Sequence, residues 1–190
     1  MIDLETVAQI IGIFAAAINI LSYQCKAKKR LMLMQLFGGL LFCANYLMLG
    51  AIMGGIMNAL AVIRALLFIN KERWRLNDTA LTVGFIIAFL ASYVITFTLL
   101  GVEPSMRNLI IESLPVIAMS AMTVSFKMKN ATAIRILAIT LGSPGWLVYN
   151  IFAKSIGAIL CEAFSLVSLV IGIIRHDIRR KPRTEIVNKT

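Results

Sequence analysis

Histidine is nearly missing from this chain: His176 is the one copy in 190 residues. It stands in the C-terminal tail, past the last apolar run, so a buried serine–histidine dyad would have no base. Acidic residues number only nine. Two of them, Glu112 and Glu162, fall inside apolar runs, but at depths that do not match as paired carboxylates should. The three cysteines, Cys25, Cys43 and Cys161, are isolated and show no metal-ligand spacing. Cys43 and Cys161 are expected to pack as small apolar residues. Neither a glycine-rich phosphate loop nor a His-Glu-x-x-His motif occurs. These absences argue against an enzyme, a catalytic residue, a metal site or a cofactor. The first six residues, Met1-Ile2-Asp3-Leu4-Glu5-Thr6, lack the basic start of a secretory signal. The first apolar run is therefore expected to be a retained membrane helix.

Apolar residues are what the chain has in excess. They make up 59% of it, with a mean hydropathy of +0.87, far from the ordinary soluble range. Charged residues are 15% and lie bunched between apolar runs. Seven spans can be drawn, at 6–24, 31–49, 51–69, 79–101, 108–126, 132–152 and 155–174. Each is about the 20 residues that a helix needs to cross roughly 30 Å of hydrocarbon. Without water to satisfy backbone groups, helices are the expected solution. Leu49-Gly50-Ala51 joins spans two and three as a tight hairpin, and Phe152-Ala153-Lys154 is its counterpart between spans six and seven. Glu112 and Pro115 interrupt span five, and a six-span reading makes that segment re-entrant. Ser143-Pro144-Gly145 is expected to break span six locally and provide a bend.

Loop charges set an orientation. Lys26, Lys28, Lys29 and Arg30 fill the first connection, Lys71, Arg73 and Arg75 the third, and Lys127 and Lys129 the fifth. The tail adds Arg175, Arg179, Arg180, Lys181, Arg183 and Lys189. Fifteen basic residues thus share one side, while the other has only Arg107 and Lys154. This pattern predicts an inner-membrane protein with its N-terminus outside and its C-terminus in the cytoplasm. It also accounts for the net charge of +10 without a nucleic-acid partner, because no recognition fold is visible. The basic cytoplasmic loops suit anionic lipid head groups.

The chain nearly repeats itself at an offset of 103 residues. Ser22, Lys26, Gly39, Tyr46, Gly54 and Ile56 recur as Ser125, Lys129, Gly142, Tyr149, Gly157 and Ile159. Spans one to three and five to seven are then two versions of one unit. Each unit has an odd number of helices, so span four is needed as a linker that keeps the two parallel. The expected architecture is all-α and polytopic: two parallel three-helix bundles joined by a linker helix, three-one-three. Residues 1–70 form the first bundle, 71–104 the cytoplasmic loop and linker, 105–174 the second bundle, and 175–190 the basic tail. A homo-oligomer is compatible with this plan.

This arrangement resembles the SWEET and PQ-loop transporter superfamily. Leu41-Phe42-Cys43-Ala44-Asn45-Tyr46-Leu47-Met48-Leu49-Gly50, followed by Asn58, is similar to the end of span two and the start of span three in those carriers. The second copy offers Gly145-Trp146-Leu147-Val148-Tyr149-Asn150. More narrowly, Ser22-Tyr23-Gln24-Cys25-Lys26 and the overall length resemble the YgjV-type bacterial inner-membrane proteins. The Pro-Gln dipeptide is absent: Gly12 and Pro115 share a repeat position, and no glutamine follows either. The resemblance implies a substrate-facing asparagine in the third helix of each unit. Asn58 fits in the first copy, whereas Cys161, with Glu162 beside it, takes that place in the second.

The intramembrane polar residues mark a candidate site. Gly54, Asn58, Ala61 and Ala65 share one face of span three. Gly157, Cys161, Ser165, Ser168 and Gly172 share one of span seven. Small residues at such spacing let helices approach closely. Asn58 is either interhelical glue or a ligand contact. Glu162, about 10 Å into its span at 1.5 Å per residue, either serves function by binding a cation or proton, or pairs with Arg64 or Arg135. Those arginines are otherwise expected to snorkel to head groups, and Glu112 to lie near the outer interface. Trp146, Tyr149 and Tyr46 are either an interfacial belt or an aromatic wall. Asn19, Gln35, Asn45 and Asn150 line a path or bond neighbouring helices. The expected substrate-binding set is Asn58, Glu162, Cys161, Asn45, Trp146 and Tyr149, around a cavity between the bundles. The function read from it is movement of a small polar solute, passive or proton-linked, by alternating access. The alternative is a non-transporting scaffold, lipid-interacting or assembly protein.

Overall fold

The computed structural model describes residues 3–22, 28–125, 127–128 and 130–174. Tyr23, Gln24, Cys25, Lys26, Lys129, His176 and the basic tail at 175–190 lie outside the described residues. Every regular element among the described residues is helical. In chain order these are α1 (Leu4–Ser22), α2 (Lys28–Met48), α3 (Ile52–Ile69), α4 (Asp78–Thr98), α5 (Met106–Ser125), α6 (Ala131–Leu137), α7 (Ser143–Phe152) and α8 (Ile156–Ile173). A π-helical segment, Ala138–Gly142, joins α6 to α7 without a gap, so seven rods result. Their bounds fall within about three residues of the spans drawn from hydropathy. Five of them, α1, α3, α4, α5 and α8, are long and apolar enough to cross a membrane. Helix α2 begins with the basic run Lys28-Lys29-Arg30 and carries an apolar stretch at Leu33–Met48.

Span five follows the seven-span reading and not its re-entrant alternative: α5 runs as one helix of 20 residues with Pro115 inside it. Span six does lose its α-helical ladder next to Ser143-Pro144-Gly145, but as a π segment within a continuous rod and not as a gap. Pro144 has no N–H, and its ring crowds the carbonyl four residues back. The helix answers by widening just before it: the amide of Ser143 reaches Ala138 O, five residues back. A π segment is in effect one extra residue inserted into an α-helix.

Side-chain chemistry sets the remaining boundaries. Asn77 caps α4, its side-chain oxygen accepting from Thr79 N at 2.8 Å and Ala80 N at 3.2 Å. Asn130 caps α6 in the same way, as expected of side chains that satisfy orphan amides. Two helices stop in left-handed residues. Gly50 has φ +73°, with Gly50 N bonded to Leu47 O and Ala51 N to Tyr46 O. Lys154 has φ 54°, with Lys154 N bonded to Ile151 O and Ser155 N to Asn150 O. The bond pattern is the same Schellman closure, but it recurs after 104 residues, one more than the sequence repeat. The π segment supplies the extra residue.

The helices pack as a closed ring in the order α1, α2, α3, α5, the α6–π–α7 rod, α8 and back to α1. Helix α4 lies outside it, against α3 and α5. Tyr93 of α4 donates to Leu109 O at 2.9 Å, and Lys127 donates to Thr79 Oγ1 at 2.9 Å. Where α1 meets α8 the backbones touch. A Cβ added to Gly157 would sit 2.1 Å from the Gly12 carbonyl, so only glycine allows this crossing. Large apolar side chains point outward from every rod, among them Phe14, Phe37, Ile87, Ile110 and Val167, as lipid contact requires. Inward, Met53, Met57, Phe89 and Tyr149 are fully buried.

Candidate functional site

Within the ring lies a cavity of about 550 Å³. Helices α1, α2, α3, α5, α7 and α8 all contribute to its wall. It runs from an aromatic floor to Lys71, whose side chain is about one-third exposed. Of the six residues singled out as substrate-binding, Asn58, Cys161, Glu162 and Trp146 line this cavity. Asn45 and Tyr149 do not. Asn45 donates to Ala8 O at 2.7 Å, and Ser155 Oγ donates to Asn45 Oδ1 at 2.6 Å. Tyr149 Oη accepts from Gly54 N at 2.7 Å. Both are spent on bonds beneath the cavity, with 0% and 1% of their surface exposed.

These bonds belong to a network that closes one end. Tyr46 donates to Asn150 Oδ1 at 2.5 Å, joining α2 to α7. Gln9 donates to Lys154 O at 2.6 Å and accepts from Ile156 N at 3.0 Å, tying α1 to the α7–α8 turn. Tyr46 stacks on Trp146 at 6.0 Å, and Trp146 meets Tyr149 edge-on at 5.9 Å. The aromatic residues are thus an internal wall and floor, not an interfacial belt: Tyr46 and Tyr149 are buried and Trp146 half-buried. Neither the network nor its partners were singled out as a unit by sequence reasoning. The recurrence of Tyr46 as Tyr149 was the available signal. Asn19, Gln35 and Asn150, expected to line a path or bond neighbours, all reach the cavity wall.

Asn58 and Glu162 differ from the groups below them. Asn58 donates to Gly54 O of its own helix at 3.0 Å. No donor among the described residues reaches its side-chain oxygen. Glu162 lies beside the Ser143 hydroxyl, next to the π segment. It is not sealed against Arg64. Arg64 is 9% exposed, and its guanidinium donates to Thr123 Oγ1 and to Met119 O of α5. The snorkelling expected of Arg64 is therefore replaced by a buried bond to a helix within reach. Glu112 is drawn in as well: it is half-buried beside the Tyr149 hydroxyl, with its Oε2 buried and no hydrogen-bond partner for it among the described residues.

A second cavity, about 590 Å³, lies between α5, the sixth rod and α8. Arg135, Gly142, Ser143 and Ser168 line it. Trp146, Glu162 and Ser165 line both cavities, so Glu162 stands where the two volumes meet.

No curated protein and no solved structure matches the chain. The family model Imp-YgjV, described as bacterial inner membrane protein, matches residues 6–180, and the chain belongs to that family.

Proposed function

We propose that the protein carries a small polar solute across the bacterial inner membrane through the cavity inside the helix ring. One observation carries this reading: the cavity is lined by intramembrane polar groups, Asn58 and Glu162, and ends blindly on a buried network. Polar side chains within spans are costly and usually face a path or a partner. Here they face about 550 Å³ of space, a volume suited to a small ligand.

The pairing of helices supports a two-unit design. Helix α1 packs on α8 and α3 on α5, and exchanging first-unit helices for second-unit ones turns each pair into the other. On this reading residues 1–70 and 105–174 are the units, and 71–104 is the loop and linker. The N-terminus is outside, the C-terminus is cytoplasmic, and the open end of the cavity faces the cytoplasm with Lys71. Alternating access then requires the network at the closed end to part while the Lys71 end closes.

Thermal unfolding of the purified chain against sugars, amines, nucleosides and vitamins tests the proposal, since a ligand that binds only the folded state raises Tm by mass action. One solute class should raise Tm, and the shift should vanish in Glu162→Gln and Asn58→Ala. No shift with any class, together with destabilised variants, would favour a scaffold. The backbone contact of Gly12 with Gly157 favours that second reading, because it locks α1 to α8.

A further inference from the structure

We infer that the solute is a small organic cation, held by Glu162 and the aromatic wall, with Asn58 across the cavity as its hydrogen-bonding partner. This rests on the cavity being a solute site and adds its charge class.

The first support is register. Counted from the left-handed residues that end the two preceding helices, Asn58 lies eight residues past Gly50 and Glu162 eight past Lys154. Both are also the seventh residue of their helices, α3 and α8. The sequence repeat pairs Asn58 with Cys161 instead. The π segment moves the second copy by one residue, so a carboxylate, not a thiol, occupies the position equivalent to the amide. A change of one residue turns a helix position by about 100°, so although Cys161 and Glu162 both line the cavity, Glu162 is the one that matches Asn58 in register.

The second support is the charge inventory. Among the described residues lining this cavity only Arg64, Lys71 and Glu162 carry charge. Arg64 is directed into α5. Lys71 is held by the Asp78 carboxylate at 2.9 and 3.0 Å. No ion pair with a described residue occupies Glu162. The cavity therefore carries a carboxylate with no ion-paired cation among the described residues, and Trp146, Tyr46 and Phe42 line the same cavity. Aromatic faces attract ammonium groups, most strongly where water is excluded. A neutral solute would leave the carboxylate desolvated and unpaired. An anion would be repelled by it.

Cys161 adjoins Glu162 and lines the same cavity, which makes it a reporter. In the full chain carrying Cys25→Ser and Cys43→Ala, its modification is followed with two methanethiosulfonates, one bearing trimethylammonium and one sulfonate. Rates are taken relative to a free thiol in the same detergent. The cationic reagent should be favoured at least tenfold over the anionic one. Glu162→Gln should collapse that ratio to the free-thiol value, and Glu162→Asp should keep it. Choline should slow the reaction, while its neutral isostere 3,3-dimethylbutan-1-ol should not. A reactive Cys161 with no charge preference would overturn the cation class and leave the solute cavity standing. A preference that survives Glu162→Gln, or equal protection by choline and the isostere, would also overturn it. A Cys161 inert to both reagents would overturn the cavity reading as well.

Discussion

The two ends of the cavity use similar residues to opposite effect. At the closed end Asn45, Tyr46, Tyr149, Asn150 and Ser155 are no more than 2% exposed. Their side chains are bonded to each other or to backbone groups of α1 and α3. Farther along α3 and α8, Asn58 and Glu162 are partly exposed to the cavity; Asn58 bonds only its own helix among the described residues, and Glu162 has the Ser143 hydroxyl beside it but no ion pair with a described residue. A buried polar group stabilises a fold only when its partners are present, and removing one partner leaves the other's desolvation uncompensated. The closed end is thus structural, and the open volume is where, in the proposed carrier, polar groups would meet a solute.

Substitutions can break this comparison, and the largest effect lies beside the closed end. Gly157→Val places carbon against the Gly12 carbonyl, where even a Cβ would be at 2.1 Å. Overpacking commonly costs about 1–3 kcal/mol, and contact with rigid backbone belongs at or above the top of that range. Thermal unfolding of the variant should show the largest loss of Tm of any substitution named here. Asn45→Ala comes next, because it strips partners from both Ala8 O and Ser155 Oγ. A loss of about 2 kcal/mol is expected, read from the same melts. Asn45→Asp, which keeps an acceptor for Ser155 but has no donor for Ala8 O, should not restore stability.

Tyr46→Phe removes only the bond to Asn150 Oδ1 and should cost about 1 kcal/mol. If that bond is part of the gate, the variant should also raise solute leak in proteoliposomes. An unchanged leak would make the bond purely structural. Asn58→Ala should change stability least, by less than about 1 kcal/mol, since its amide bonds only its own helix. It should still abolish any ligand-induced rise in Tm. A strongly destabilised Asn58→Ala would move that residue from the solute site to the scaffold and erase the contrast between the two ends.

Much of the fold was legible in advance. Helices α1 to α5 and α8 follow from apolar runs of membrane length and from the basic or polar connections between them. The Leu49-Gly50-Ala51 hairpin follows from a glycine able to take φ +73°. Of the candidate site, Asn58, Cys161, Glu162 and Trp146, expected from depth, helical face and the resemblance to triple-helix carriers, line one cavity. Asn45 and Tyr149 were misplaced because depth does not say which neighbour stands within hydrogen-bonding reach. Arg64 was misjudged for the same reason: Thr123, on α5, is its partner, and that pairing exists only after α3 and α5 pack.

Composition and periodicity determined that the chain is a membrane protein, how many rods it makes and which faces are apolar. Those are properties of local sequence against the length and dielectric of a bilayer. The tertiary structure decided the ring order, the closed end, the partners of Asn45 and Arg64, and the pairing of Asn58 with Glu162. The last depends on a single extra residue absorbed at Ala138–Gly142. Pro144 removes a backbone bond there, as Pro115 does inside the regular helix α5, but that the sixth rod answers with a π segment, and which way the following residues turn, are set by packing around it. A sequence repeat counts residues along the chain, whereas a binding site is defined by which of them end up facing one another.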